Sequence, residues 1–384
     1  MQRMERTIYE ADHESFRQSV KEFLDREVQP HLEEYIEQKA IPREFWLAAG
    51  KQGFLGLEIP EEYGGSEAGD YRFNAVLTEE LSKVNMALPS CVGIHADIVA
   101  PYLVHLTTAE QKKRWLPTFC TGENLTAIGM TEPGGGSDLA ALKTTAVRDG
   151  NEFVLNGSKT FITNGYSADL VIVAARTTPE KKARGITLFG VETSKEGFSR
   201  GRKLDKVGQP ESDTAELFLE NVRVTEDDII GEYDGGFIHM MQWLPQERLG
   251  SAITNLAHAR QILDETVTYC HDRKAFGQSI GQFQYNKFLI AELVTQADVT
   301  QAFVDQCVLA HKDGELTAID AAKAKWWTSQ VQNDILDACV QLHGGYGYMN
   351  EYRAARAWTD ARVTKIWAGS NEIMKELIGR DLGF

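Results

Sequence analysis

The chain has 384 residues, of which 42% are hydrophobic and 25% charged, and its formal net charge is −16. This length allows two or three domains of roughly 100–200 residues each, and the composition is that of an ordinary globular protein. Because nucleic-acid-binding proteins carry a basic surface, the acidic excess argues against a nucleic-acid partner. These properties favour an enzyme over a disordered, fibrous or architectural protein.

The cysteines and the apolar segments indicate the compartment. Five widely spaced cysteines include no Cys-x-x-Cys pair, which favours buried thiols in a reducing, cytoplasmic setting over disulfides or a catalytic thiol. Residues 1–6 lack the apolar core of a signal peptide. No stretch approaches about 18 uncharged apolar residues, so we expect no membrane span. The nine histidines show no metal-ligand spacing, and we expect no metal site.

The first part of the chain has helical periodicity. One apolar stripe recurs at i, i+4, i+7, i+8 and i+12, as on one face of a helix. A second helical run is predicted from Phe73 to Val84. The sequence therefore predicts an N-terminal α-helical domain over residues 1–125. The stripe consists of Phe16, Val20, Phe23, Leu24 and Val28.

The pattern changes near residue 125 to short β-rich runs separated by polar turns. This arrangement is typical of antiparallel β structure. A doubly wound nucleotide-binding fold would need helices of about 10–15 residues between the strands, and they are missing. We therefore predict a middle antiparallel β domain over residues 126–228. The runs are residues 152–155, 169–175, 185–191 and 215–219.

Long helices are predicted in the last part of the chain, residues 229–384. Two apolar stripes with a spacing of roughly 3.5 residues per turn indicate long antiparallel helices packed as a bundle. The whole chain is thus predicted to be an α+β multi-domain protein with the order α, β, α. The first stripe is Ile253, Leu256, Leu263, Val267 and Cys270, and the second is Ile290, Leu293, Ala297, Thr300, Val304 and His311.

The glycine-rich segment 127–138 is the most informative motif. Its three adjacent glycines, residues 134–136, let a ligand approach the backbone closely, and Thr131 and Ser137 add hydroxyl groups. Alone, such a run is more often an ordinary loop than a cofactor site. Four further motifs follow it in order, at residues 161–165, 273–277, 341–347 and 366–374.

Together these five motifs resemble those of acyl-CoA dehydrogenases, flavin-dependent enzymes that introduce an α,β double bond into fatty acyl-CoA thioesters. The resemblance extends from about residue 10 to residue 381. Within the family, residues 244–249 and 371–378 are most similar to the long-chain type. The family's helical, β and four-helix-bundle domains agree with the order predicted from periodicity.

The resemblance implies that FAD is the cofactor. Residues 128–137 would lie along the flavin, Phe161 would pack on its ring and Thr163 would bond near N5; an aromatic face beside a hydroxyl suits a flavin. Arg273 and Phe276 would reach the FAD diphosphate of a neighbouring subunit, which implies a homotetramer. From the residues alone, Phe161 could instead be β-domain core and Arg273 a solvated helix end. The implied FAD contacts are Ile128, Met130, Thr131, Gly136, Ser137, Phe161, Ile162, Thr163, Arg273, Phe276, Gln284, Gln341, Leu342, His343, Gly344, Gly345, Ser370, Asn371 and Glu372.

The resemblance also implies a catalytic base. Removing an α-proton from a thioester needs a carboxylate and an oxyanion stabiliser. Many members carry a Glu where this chain has Ala368, but the long-chain and isovaleryl types carry theirs on another helix, at the position of Glu247. Pro245 predicts that Glu247 lies in a first helical turn, whose field lowers its pKa, so that apolar burial must raise it again. Without the resemblance, Glu247 would be an ordinary helix-terminal carboxylate paired with a basic side chain.

The remaining implied roles concern the substrate and the electrons. The Ala368 N–H, or that of a close neighbour, would bond the thioester oxygen, and Glu132 is expected to be structural. The implied reaction is α-proton abstraction with β-hydride transfer to flavin N5, in fatty acid β-oxidation, with electrons passing to an electron-transfer flavoprotein. A flavin oxidase or monooxygenase on the same fold, and a non-catalytic acyl-CoA-binding protein, are the alternatives. The implied substrate-binding residues are Ala368, Ser137, Pro245, Gln246 and Arg248.

Overall fold

The N-terminal part is helical, as predicted. The computed structural model describes residues 5–384. In the first helix Val20, Phe23 and Leu24 are buried, which confirms the predicted stripe, and the predicted run from Phe73 forms the fourth helix. The helices are α1 (Ala11–Glu27), α2 (Leu32–Gln38), α3 (Arg43–Lys51), α4 (Arg72–Val84), α5 (Ala87–Gly93), α6 (Ala100–His105) and α7 (Ala109–Thr121).

A π-helical segment, Ile94–Val99, joins α5 to α6. Such segments are rare and frequently lie at functional sites. By length and composition alone, the continuous stretch Ala87–His105 could cross a membrane, but 72% of its most apolar window is buried inside the protein. A buried core helix passes the same test, so the absence of a membrane span stays a prediction.

Within residues 5–384, eight strands form one sheet: β1 (Thr126–Gly129), β2 (Thr145–Asp149), β3 (Glu152–Ile162), β4 (Leu170–Arg176), β5 (Ile186–Glu192), β6 (Phe198–Lys203), β7 (Ala215–Thr225) and β8 (Ile229–Ile230). Their order is β6-β7-β3-β2-β4-β5-β8, with β1 paired to β4. The four predicted β runs lie in β3, β4, β5 and β7. Most pairs are antiparallel, as predicted, but β1 and β2 both pair with β4 in parallel, with Thr126 opposite Leu170 in the first pair.

Long helices dominate the C-terminal part and pack as a bundle, as predicted. A short antiparallel hairpin, β9 (Lys274–Ala275) and β10 (Gln278–Ser279), separates the first two of them. Buried side chains such as Leu263, Leu293 and Ile335 join the three long helices in one apolar core. The helices are α8 (Gly236–Asp272), α9 (Gln284–Lys312), α10 (Ala318–His343), α11 (Arg353–Ala361) and α12 (Asn371–Asp381).

One local prediction was wrong. Pro245 does not lie in a first helical turn, because α8 begins at Gly236 and continues through the proline. A side chain at Gly236 would collide with Ile186 and Thr187 of β5, within about 3 Å, so tight packing against the sheet accompanies the true start of the helix. The proline removes one backbone hydrogen bond, and burial of the surrounding turns keeps the helix continuous.

The fold brings the three parts together around one cavity. The predicted boundaries at residues 125/126 and 228/229 stay predictions; the observed elements change type between α7 and β1 and between β8 and α8. Segments of α4, α5, the π-helix, the sheet, α8 and the turn before α12 all contribute to the walls of that cavity.

Candidate active site

A cavity of about 200 Å³ lies where the helical parts meet the sheet. The structure brings eight of the predicted site residues together there, from four separate segments of the chain. Three come from β1 and the following loop, three from the end of β3, one from α8 and one from the turn before α12. They are Ile128, Met130, Thr131, Phe161, Ile162, Thr163, Glu247 and Ala368.

Phe161 presents an open aromatic face to this cavity. Its backbone is left-handed, with φ of 58°, and the residue is 70% exposed. The following turn is fixed by Asn164, whose amide donates to the carbonyls of Cys91 (2.9 Å) and Thr126 (3.3 Å). Exposure on this scale excludes the alternative that Phe161 is β-domain core. The Phe161 ring therefore offers a flat apolar surface beside the hydroxyl group of Thr163.

The glycine-rich loop is anchored at one residue and open beyond it. The buried Glu132 accepts hydrogen bonds from the Thr144 N–H (2.9 Å) and from the Lys159 ammonium (2.8 Å). Burial opposes ionisation, but these donors outweigh it and lower the pKa of Glu132 to about 2. Gly136 and Ser137 lie on the exposed side of the loop. Glu132 thus acts as the structural anchor of this segment.

The carboxylate-bearing side chain of Glu247 lines the cavity. It is half-buried in the interior of α8, and among residues 5–384 no donor forms a hydrogen bond with it. Burial raises its pKa, while the charges of Arg248 and Lys325 oppose the rise. Since α8 begins well before it, the field of a helix N-terminus does not act on it as predicted. A desolvated, unbonded carboxylate is suited to accept a proton.

Ala368 faces the same cavity from the turn before α12. Its backbone is left-handed, with φ of 51°, and Gly369 follows with φ of 83°. Within the described part of the chain, the Ala368 N–H donates to no acceptor. A free N–H at the wall of a cavity can bind an oxygen atom of a ligand.

The neighbours of Glu247 on α8 point elsewhere. The Gln246 amide donates to the Asp97 carboxylate at 3.0 Å, and its oxygen pairs with His311 at 3.1 Å, so Gln246 lines an adjoining polar cavity. Arg248 is 6% exposed, and its Nε has no hydrogen-bond partner among the described residues. Pro245 is half-buried within the helix. None of the three lines the cavity that holds Glu247.

A second cavity, of about 590 Å³, collects another group of predicted residues. The exposed Arg273 guanidinium lies 5.5 Å from the ring centroid of Tyr346, and Phe276 is 96% exposed. His343 stacks on Tyr269 with ring centroids 4.2 Å apart. Among residues 5–384, the two cavities share no lining residue. The predicted residues here are Arg273, Phe276, Gln341, Leu342, His343, Gly344 and Gly345.

Four predicted cofactor residues lie at helix starts. Gln284 is the exposed first residue of α9 and lines neither cavity. The Ser370 hydroxyl caps α12 by accepting from the Ile373 N–H at 3.4 Å. Asn371 is buried, and Glu372 is exposed.

Sequence reasoning missed the part of the wall formed by the π-helix and by the rest of α8. Gly250, Ser251 and Thr254 follow Glu247 at i+3, i+4 and i+7 and line the same cavity. That spacing is the helical signal that could have identified them. For Asp97 and Ile98 of the π-helix, the sequence carries no comparable signal.

Comparison with known proteins supports one family over almost the whole chain. The acyl-CoA dehydrogenase N-terminal, middle and C-terminal domain models match residues 10–123, 127–222 and 234–383. The chain is 46% identical over 379 residues to the mitochondrial long-chain specific acyl-CoA dehydrogenase of Sus scrofa, covering 98% of this chain and 88% of that one.

Two solved structures are also similar. The acyl-CoA dehydrogenase from Geobacillus kaustophilus has a TM-score of 0.96 and 43% identity, covering 98% of this chain and 99% of that one. A structure described as an electron transferring flavoprotein of Acidaminococcus fermentans has a TM-score of 0.94 and 33% identity, with 98% and 99% coverage. Domain order, cavity and sequence agree: this chain belongs to the acyl-CoA dehydrogenase family of oxidoreductases.

Proposed function

We propose that this protein is an FAD-dependent dehydrogenase of long-chain fatty acyl-CoA thioesters that acts in fatty acid β-oxidation. The observation that carries the proposal is the Glu247 carboxylate. Its pKa is raised, no donor within residues 5–384 bonds to it, and Ala368, whose N–H is unpaired within the same residues, lines the same cavity. The 46% identity to a long-chain specific relative supports the substrate class.

In the proposed reaction Glu247 removes the proton from the α-carbon of the acyl chain. The Ala368 N–H donates to the thioester oxygen and stabilises the negative charge that develops there. Apolar side chains such as Ile94 and Ile98 exclude water from the acyl chain. Loss of the α-proton and of a β-hydride leaves the α,β double bond.

The residues present fit FAD. Phe161 offers an exposed aromatic face, and the loop glycines leave room for close backbone approach. A Cβ at Gly136 would come within 3.3 Å of the Thr131 side chain, whereas Gly134 and Gly135 face open space. Residues of the 128–137 loop, with Phe161 and Thr163, would hold the flavin end. When bound, FAD supplies the acceptor for the hydride.

We further propose that the second cavity completes the FAD site of a partner subunit in a homotetramer. The argument is that Arg273 and Phe276 are exposed and lie in a cavity that shares no residue with the first. Closed symmetric assemblies are the usual homo-oligomers. Light scattering should therefore give a tetramer, and a stable monomer with full flavin content would contradict this assembly.

We propose an electron-transfer flavoprotein as the electron acceptor and the cytoplasm as the compartment. The similarity to the Acidaminococcus fermentans structure supports the first. The second is supported by the five cysteines, which are all buried and free. Reoxidation of the reduced enzyme by a purified electron-transfer flavoprotein tests the proposed acceptor. Cell fractionation tests the proposed compartment.

The central experiment is anaerobic addition of acyl-CoA thioesters of increasing chain length to the purified yellow protein. We expect a long-chain thioester to bleach the flavin absorbance, and the product to be the 2-enoyl thioester. Rapid peroxide formation in air would favour an oxidase instead. A colourless protein that does not bind added FAD would favour the alternative of a non-catalytic acyl-CoA-binding function.

A further inference from the structure

Lys325 is a lysine buried at the back of the turn that carries Ala368. It lies in α10 and is 0% exposed. Its ammonium donates to the Gly369 carbonyl at 2.6 Å and to the Asn371 side-chain oxygen at 3.2 Å. The same Asn371 oxygen also accepts from the Ser329 hydroxyl at 3.0 Å. Burial of a lysine costs free energy, so its full enclosure at this place requires an explanation.

The turn that Lys325 holds has little freedom of its own. Ala368 and Gly369 are both left-handed, a conformation that an alanine adopts only at a cost. A Cβ at Gly369 would come within 2.5 Å of the Met374 methyl group, so α12 packs closely against the turn. The Lys325 bond to the Gly369 carbonyl therefore restrains the turn that carries the Ala368 N–H.

Lys325 is also one of the charges that act on Glu247. The two charges are Arg248, from the same helix as Glu247, and Lys325, from α10. The Tyr102 hydroxyl on α6 also lies near Glu247: burial raises its pKa, and the charge of Glu247 raises it further. The Asp97 carboxyl lies in the same cavity wall, and the exposed Glu372 acts on Lys325 from α12. Burial is the main effect that lowers the pKa of Lys325, to about 8, and repulsion from Arg248 adds to it. Lys325 is therefore largely protonated at neutral pH.

We propose that Lys325 is a positioning residue: it holds the Ala368–Gly369 turn against the cavity through the Gly369 carbonyl and, as a buried cation, favours the ionised form of Glu247. This inference rests on the proposed function, because it assigns Lys325 to the same reaction. Lys325 itself lines no wall of the catalytic cavity and would not touch the substrate.

The test compares Lys325→Met with Lys323→Met in the flavin-loaded protein. Lys323 lies two residues away on the same helix, is 45% exposed and pairs with Asp320 of that helix. Both variants lose one positive charge and keep an unbranched side chain. Hydrogen–deuterium exchange of residues 366–374 reports on the turn, and flavin reduction from pH 5 to 9 reports on Glu247.

We expect Lys325→Met to exchange faster at residues 366–374 and to reduce its flavin at least about tenfold more slowly at pH 7, the scale of a misplaced catalytic group. The pH at which activity appears should move upwards, because a carboxylate that loses a neighbouring cation has a higher pKa. Lys323→Met should match wild type in exchange, rate and pH profile.

Unchanged exchange and an unshifted pH profile in Lys325→Met would overturn the proposal, even if the rate fell, because a loss of rate alone would indicate a merely structural role. If Lys325→Met does not fold, Lys325→Gln is judged by the same two measurements. A wild-type protein that no acyl-CoA bleaches would defeat the proposed function. In that case hydrogen exchange, which does not depend on turnover, still confirms or refutes the hold of Lys325 on the turn.

Discussion

Glu247 and Ala368 line one cavity from two distant parts of the chain, the interior of α8 and the turn before α12. In the part of the chain that the structure describes, the Glu247 carboxylate accepts no hydrogen bond, and the Ala368 backbone N–H donates none and sits beside a small side chain. Since both side chains border the same space, either position could hold a base directed at a ligand there.

The first prediction is that Glu247→Gln keeps its flavin and binds acyl-CoA but reduces the flavin about 10²–10⁴ times more slowly, equivalent to about 3–5 kcal/mol of barrier. Glutamine preserves the volume, so stability should change little. Stopped-flow absorbance measures the rate. Glu376→Gln is the matched control, since Glu376 is exposed on α12 and is not among the residues that line either cavity, and it should stay near wild type. Near-normal reduction by Glu247→Gln would exclude this base and direct attention to Glu372.

The second prediction is that adding Ala368→Glu to the Glu247→Gln background restores part of the activity. Ala368 already places a Cβ in the left-handed region, so the longer side chain adds little new backbone strain. The restored rate should favour shorter or straighter acyl chains, because the new side chain occupies part of the cavity. Ala368→Gln in the same background has the same size without the carboxylate. Equal rates for the Glu and Gln double variants would refute the prediction.

The third prediction concerns the second cavity. Arg273→Ala should weaken FAD retention without unfolding the protein, because the guanidinium is exposed and a charge-assisted contact to phosphate contributes roughly 1.5–3 kcal/mol. Flavin absorbance after extensive dialysis measures retention, and excess FAD should restore activity. The neighbouring exposed Lys274→Ala controls for the lost charge. Retention equal to wild type would show that the assigned contact is wrong.

The fourth prediction is that His95 makes the fold sensitive to acid. Its Nδ1 accepts from the Thr126 N–H at 3.2 Å, and its Nε2 faces the Phe119 carbonyl at 3.1 Å, so the neutral ring satisfies both partners. Burial lowers its pKa from 6.5 to about 3. Between these values the unfolded chain binds a proton that the folded chain does not, so stability falls as the pH drops below about 6.5.

His95→Gln should remove this acid sensitivity, which amounts to about 2 kcal/mol at pH 5 for a shift of this direction and size. The measurement is the thermal unfolding midpoint at pH 7 and pH 5, and the difference between the two should be smaller in the variant. His31→Gln, at an exposed histidine, is the control. Other groups that titrate in this range, such as Asp97, are present in both proteins and cancel. An identical pH dependence in variant and wild type would contradict the role of His95.

Local patterns predicted the helices and strands correctly where buried residues recur along the chain at a regular spacing. The stripe containing Val20 and Phe23 became the buried face of α1, and the β-rich run 169–175 became β4, because the periodicity of apolar residues is a property of neighbouring positions. The short strands β1, β2, β6 and β8 were not predicted from the sequence. β1 has only four residues, and its parallel pairing with β4 depends on a segment more than forty residues away.

The position of Pro245 shows where local reasoning fails. A proline is favoured in a first helical turn, but here the helix begins at Gly236, where the chain packs against β5. Glu247 therefore lies in the interior of the helix, away from either terminus. Burial, and not the field of a helix N-terminus, is the main cause of its pKa shift.

The sequence by itself determined the order of helical and β parts, the membership of the family through five ordered motifs, and Glu247 as the candidate base. Only the tertiary structure decided which residues share a cavity: it joined Glu247 to Ala368, separated Arg273 from Phe161, and buried Lys325 behind the Gly369 carbonyl. The physical reason is that periodicity and motifs depend on residues that are near one another in the sequence. Burial, hydrogen-bond partners and the fields that shift a pKa depend on segments that meet only when the chain folds.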